Sequence, residues 1–262
     1  MHPRERGSIP RVTYDDTDTG LVPSMKLAYS TNAYRKWPLE QAIARVAEIG
    51  YGGVEIMADT PHVWPLDCSM EQSDAIRRAL DKAGLAVSNV NAFMTTAIDD
   101  FWHPSWIEPD PAYRKLRIEH TKAALTFAAR IGASCITTEP GGPLPDGMSV
   151  AQATDCFVDG LNEALRHAEQ VGVQLLVEPE PGLLVENADQ FLALAERITS
   201  PLFGLNFDIG HFYCVGAALS PTIARLAPFT KHYQQLQLLS WKIPPKSSLI
   251  NDPPYYGEHS DQ

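Results

Sequence analysis

Two carboxylates in this sequence stand where an apolar run stops. Leu175-Leu176-Val177 ends on Glu178, and Leu205-Asn206-Phe207 ends on Asp208, which Ile209-Gly210-His211 follows. Short apolar runs of this kind read as strands buried on both faces, and a carboxylate closing one is costly to bury unpaired. It must meet a cation, a donor network or water. Two of them on adjacent strands need a shared cation, and His211 adds an imidazole three residues beyond Asp208. Such a donor set suits a divalent metal, with Mn²⁺, Mg²⁺ and Zn²⁺ all chemically admissible. Each residue also has a plainer reading: Glu178 can accept backbone N–H bonds in the loop that follows, and Asp208 can cap the next helix.

Further polar and aromatic residues fall near the same ends of other runs. Glu55 and Glu139 close the runs before them, where they would contact substrate hydroxyls or form ion pairs. His62 lies in the Pro-framed stretch Thr60-Pro61-His62-Val63-Trp64-Pro65, as a substrate contact or an exposed loop histidine. The stretch after residue 95 holds Phe101, Trp102, His103 and Trp106, an aromatic density able to cover the apolar face of a sugar, Trp102 in particular, or simply to pack the loop down. Glu180 and Glu186 read as residues that support the ligands or, more simply, as solvated loop residues, and His120 and His167 as surface or packing residues of helices.

The elements that must position these residues are punctuated by glycine. Gly50, Gly84, Gly132 and Gly172 each follow a helical pattern and precede a β-branched or apolar run, as expected where a left-handed residue closes a helix before a strand. Strands are expected at Lys26 to Thr31, Gly53 to Ile56, Ala86 to Val90, Cys135 to Thr138, Val173 to Val177 and Phe203 to Phe207. Helices are expected near 38–49, 69–83, 111–131, 149–171 and 187–198. Alternation of this kind implies a parallel sheet with right-handed crossovers. No GxGxxG or GxxxxGK[ST] follows a strand, so a closed barrel is favoured over a nucleotide-binding doubly wound sheet.

After Asp208 the pattern weakens. Pro221 to Pro228 can form a short helix and Tyr233 to Leu239 a seventh strand, but each further βα repeat takes upwards of about 30 residues. Ile243-Pro244-Pro245 and Asn251-Asp252-Pro253-Pro254 disfavour both helix and central strand. The expectation is an α/β chain folded as a TIM-type (β/α) barrel, incomplete at strands 7–8. Residues 1–24 would form a flexible extension, 25–232 the barrel and 233–262 an atypical tail.

Composition sets the outer bounds. A chain of 262 residues with 44% hydrophobic and 20% charged residues reads as one globular domain. A net charge of -11 opposes a nucleic-acid backbone, which needs Lys and Arg to displace counterions. Cys68, Cys135, Cys156 and Cys214 are far apart and form no CxxC pair, so reduced thiols are expected. No run approaches the roughly 20 apolar residues of a membrane span, and residues 1–23 lack an apolar signal core, so a cytoplasmic protein is expected.

The sequence resembles the xylose isomerase-like TIM-barrel superfamily, in its sugar phosphate isomerase/epimerase branch. The resemblance rests on Ile49-Gly50-Tyr51-Gly52-Gly53-Val54-Glu55-Ile56, Ile131-Gly132-Ala133, Val177-Glu178-Pro179-Glu180 and Asn206-Phe207-Asp208-Ile209-Gly210-His211. It implies metal binding by Glu178 and Asp208, a substrate contact from His211, and isomerisation or epimerisation of a sugar or polyol in carbohydrate metabolism. Proton transfer by Glu178 next to a metal-bound carbonyl would be the chemistry, with His211 orienting a hydroxyl. The family completes its site with a His on strand seven and a Glu on strand eight. Here Gln234 stands in place of the second histidine of the strand-seven pattern, and Glu258 has no strand before it, as in a truncated or frame-shifted relative. Loss of activity, with the barrel kept as a binding or scaffold protein, is therefore the alternative; a homo-oligomer is left open. An endonuclease IV-like nuclease shares the Asp-x-x-His feature but needs more strand-end histidines and a basic surface.

Overall fold

The protein is described by a computed structural model over residues 27–234. Seven strands pair in the order of the chain, all parallel: β1 (Ala28–Ser30), β2 (Gly53–Met57), β3 (Ala86–Asn91), β4 (Cys135–Thr138), β5 (Gln174–Val177), β6 (Phe203–Asp208) and β7 (Thr230–Gln234). The connections carry α1 (Leu39–Ile49), α2 (Met70–Ala83), α3 (Pro111–Ile131), α4 (Val150–Val171), α5 (Ala188–Ala195), α6 (Ile209–Cys214) and α7 (Leu219–Leu226). Among the described residues β1 and β7 each have one neighbour, so the architecture is an open, incomplete TIM-type barrel. The expected seventh strand exists but begins earlier, at Thr230. The residues expected to extend it, and the whole of Ile243 to Glu258, lie outside the described residues.

Local chemistry explains the boundaries. Ser69 and Ser149 open α2 and α4 with reciprocal bonds to Gln72 and Gln152, and Asn187 opens α5 the same way with Gln190. The four punctuating glycines close α1 to α4 in the left-handed region, Gly50 at φ 102° and Gly132 at φ 82°. An L side chain at either position would be strained. Helix α6 is absent from the sequence expectation because its six residues hold no full period of apolar spacing.

Strand alternation sorts the side chains into two environments. Leu175, Val177, Leu205 and Phe207 face the helices and join the main core with Ile43, Phe157, Leu161 and Phe191. Phe191 stacks on Phe203 with ring centres 5.8 Å apart, and Phe207 on Phe212 at 4.5 Å. The opposite face, toward the barrel interior, is polar: Asn89 Nδ2 donates to both Glu55 Oε2 and Thr137 Oγ1 at 2.8 Å, joining β2, β3 and β4. Glu55 is thus a wall residue in the middle of β2 rather than its terminal one.

A buried arginine anchors the loop after β3. Arg117 on α3 is 0% exposed and donates to the carbonyls of Pro104, Ala92 and Phe93, and lies 3.5 Å from Glu139 Oε1. Asp59, after β2, accepts from the backbone N–H of Thr96 at 3.0 Å, pinning the start of the same loop.

Candidate metal centre

Glu178 and Asp208 meet because their strands are adjacent, with Val177 level with Leu205 in the β5–β6 register. Glu178 directly follows β5, and Asp208 ends β6. One ligand atom each from Glu178, Asp208 and His211 lie within 4.8 Å of one another. Asp208 caps α6 as one reading of the sequence expects, its Oδ1 accepting from Gly210 N at 2.6 Å, while its Oδ2 is left over. That second oxygen is buried and has no hydrogen-bond partner among the described residues.

His211 is brought into the group by α6, whose first turn stands on Asp208. Its Nδ1 lies 3.1 Å from the carbonyl oxygen of Pro179. A carbonyl only accepts, so Nδ1 donates to it, and Nε2 is the nitrogen turned to Asp208, 3.9 Å from its Oδ2. A backbone carbonyl fixing the far nitrogen is the usual support of a ligating imidazole.

The electrostatics call for positive charge. Burial, then the negative charges of Asp208, Glu180 and Glu55, holds the Glu178 carboxyl well above the usual carboxylate range. Burial likewise raises Asp208, and pushes Glu180 up to about 8. A carboxylate shifted in this direction gains most from a cation. The Asp208 oxygen without a hydrogen bond, the Nε2 turned toward it and the gathered negative charge together fit a divalent metal held by Glu178, Asp208 and His211, and the fit adds His211 to the two ligands expected from sequence.

The other candidate residues are placed around this centre. Glu139 directly follows β4 and is fully buried; its Oε1 meets Arg117 and accepts from Trp106 N at 3.3 Å, while its Oε2 has no partner among the described residues. Burial pushes its carboxyl up to about 7, against the opposing pull of Arg117. His62, after β2, has Nε2 3.2 Å from the carbonyl oxygen of Tyr34. Trp102 joins a small apolar cluster of Met57, Phe93, Met94, Phe101 and Leu183, drawn from the end of β2 and the loops after β3 and β5. Trp106 belongs instead to the main core, fully buried with Nε1 donating to Thr138 Oγ1 at 3.0 Å. His120, expected at the surface or in packing, is fully buried against Trp64. Glu180 is buried rather than solvated, its exposure 9%.

Sequence reasoning passed over Asn206, which donates to Glu178 Oε2 at 2.8 Å and to Gln234 Oε1 at 2.9 Å. Its position two residues before Asp208, hence on the same strand face, was the available signal. Glu258 lies outside the described residues.

A parallel barrel carrying two carboxylates and an imidazole beyond the ends of β5 and β6 defines an α/β barrel with a metal-competent centre. Residues 43–260 match the family described as xylose isomerase-like TIM barrel, and the chain belongs to that family. Solved structures with the same fold include a D-tagatose 3-epimerase-like protein, at 21% identity over 80% of this chain and 75% of that one, with a TM-score of 0.67. A D-psicose 3-epimerase in the presence of D-fructose matches at 15% identity over 80% and 73%, TM-score 0.69. A 3-keto-D-glucoside 4-epimerase from E. coli matches at 14% identity over 82% and 80%, TM-score 0.68. No curated protein matches the chain. No described helix is long and apolar enough to cross a membrane.

Proposed function

We propose that the protein is a divalent-metal-dependent isomerase or epimerase of a sugar or related polyol, working by proton transfer beside a carbonyl. One observation carries the reading: the buried, partnerless Oδ2 of Asp208 inside a group that also holds Glu178 and a ligand-ready His211 nitrogen. The fold relatives whose names specify epimerases of tagatose, psicose and a keto-glucoside support the substrate class. Glu178, Asp208 and His211 would hold Mn²⁺, Mg²⁺ or Zn²⁺, and the cation would polarise a bound carbonyl. Glu178 is the proton acceptor and donor in this reading, a role suited to a carboxylate whose proton affinity is raised by burial. His62, Glu55 and Glu139 supply polar contacts around the substrate. Trp102 and its apolar neighbours exclude water on the side of the loop after β3.

The test is deuterium exchange from solvent into the carbon next to the carbonyl, across a panel of ketoses, with each metal supplied in turn. Exchange in the wild type that disappears in Glu178→Gln supports the reading. Absence of exchange together with absence of bound metal sinks it. The alternative, a barrel kept for binding, is favoured by Gln234, whose carbonyl oxygen is already taken by Asn206; ketose binding without exchange would select it.

A further inference from the structure

Asn206 is fully buried on β6, and its carboxamide is completely used. Nδ2 donates to Glu178 Oε2 at 2.8 Å and to Gln234 Oε1 at 2.9 Å, while Oδ1 lies 2.9 Å from His232 Nδ1. The β6–β7 register makes the last contact inevitable, since Asn206 is level with His232 and Asp208 with Gln234. The orientation of the amide follows from its partners. The Gln234 carbonyl oxygen only accepts, so the nitrogen faces it and Glu178 Oε2 beside it. The oxygen is then left for the imidazole, which must carry its proton on Nδ1 and keep Nε2 as a lone pair.

We infer that Asn206 is a positioning residue that ties β5, β6 and β7 into one unit at the site: it holds Glu178 by Oε2, leaving Oε1 toward the Asp208–His211 pair, and it fixes His232 in the Nδ1–H tautomer. Glu178 Oε1 is the oxygen turned to His211, 3.8 Å from its Nδ1. A carboxylate free to rotate about its last bond would lose that orientation. Strand β7, which offers Gln234 where the family pattern has a histidine, is thereby coupled to the centre through Asn206 rather than through a ligand of its own. The part concerning Glu178 rests on the metal reading above; the part concerning His232 does not.

The experiment uses the full chain as wild type, Asn206→Ala and the isosteric Asn206→Asp. Long-range ¹H–¹⁵N spectra of the metal-free proteins report which nitrogen of His232 is protonated, with the signal identified by its loss in His232→Gln. Calorimetric titration with Mn²⁺ reports affinity. The alanine variant is expected to lose the Nδ1–H tautomer and to bind Mn²⁺ about 10–100-fold more weakly, the usual effect of removing the partner of a ligand. The aspartate variant is expected to keep Nδ1 protonated, because its carboxylate still accepts, yet to bind Mn²⁺ more weakly because it loses the N–H that orients Glu178 through Oε2. This split between tautomer and affinity separates positioning from a general loss of stability. An unchanged His232 tautomer in the alanine variant, or wild-type Mn²⁺ affinity in both variants, overturns the inference. If the wild type takes up no Mn²⁺, the proposed function falls, and the His232 spectra alone decide the role of Asn206. Should the alanine variant not fold, the aspartate variant decides: wild-type Mn²⁺ affinity overturns the inference and weakened affinity supports it.

Discussion

Replacing Asp208 by asparagine removes one buried negative charge from beside Glu178 while keeping the oxygen that caps α6. Two unit charges within 4.8 Å of each other repel by at least about 3 kcal/mol at an effective dielectric constant of about 20. The attraction of Asp208 for His211 offsets part of this, so the metal-free variant is predicted to be more stable than wild type by about 1–3 kcal/mol. For a chain of this size that is a rise in melting temperature of roughly 2–4 °C per kcal/mol. The sign depends on pH. Both carboxyls are raised in the folded state, so the wild type takes up protons on folding, and its metal-free stability is present at low pH and lost as pH rises. The advantage of the variant must therefore grow from acid toward alkaline pH. Added metal reverses the order: at about 100 times its dissociation constant a ligand contributes about 2.7 kcal/mol, or roughly 5–11 °C, to the wild type and little to the variant. Melting curves at several pH values, in chelator and in Mn²⁺, read all of this directly. An Asp208→Asn protein that melts below wild type in chelator at alkaline pH, yet gains as much from Mn²⁺, would refute the reasoning.

Arg117→Met is predicted to destabilise the fold by about 3–5 kcal/mol in urea denaturation, because it leaves Glu139 buried without its cation and three loop carbonyls without their donor. Glu139→Gln isolates a second pH effect. The folded carboxyl is pushed from 4.5 up to about 7, so its contribution is fully present below about 4.5 and lost as pH rises through about 7. The shift corresponds to about 3 kcal/mol, and the substitution should flatten the stability profile by that order across this window; an unaltered profile counts against a protonated Glu139 at low pH.

The elements carried by local signals were legible in the amino-acid order. Glycine after helical spacing marked the ends of α1 to α4, and short apolar runs located β2 to β6 within a few residues. The pair Glu178 and Asp208 was legible for a related reason: a carboxylate that ends a buried strand has nowhere uncharged to go. Strand β7 was harder to place, since its exposed Lys231 and Tyr233 break the apolar run that marks its neighbours. The ion pair of Arg117 with Glu139, and the bonds joining Asn206 to Glu178, Gln234 and His232, were not legible at all. Their partners are 22 to 28 residues apart in the chain or stand on different layers. Nor was it legible that the Pro179 carbonyl holds His211 by Nδ1 and turns Nε2 toward Asp208. Sequence determines where a strand ends and which residue stands there; which buried polar atoms find partners, and which is left over, is decided by register and helix packing, because hydrogen bonds are short and directional.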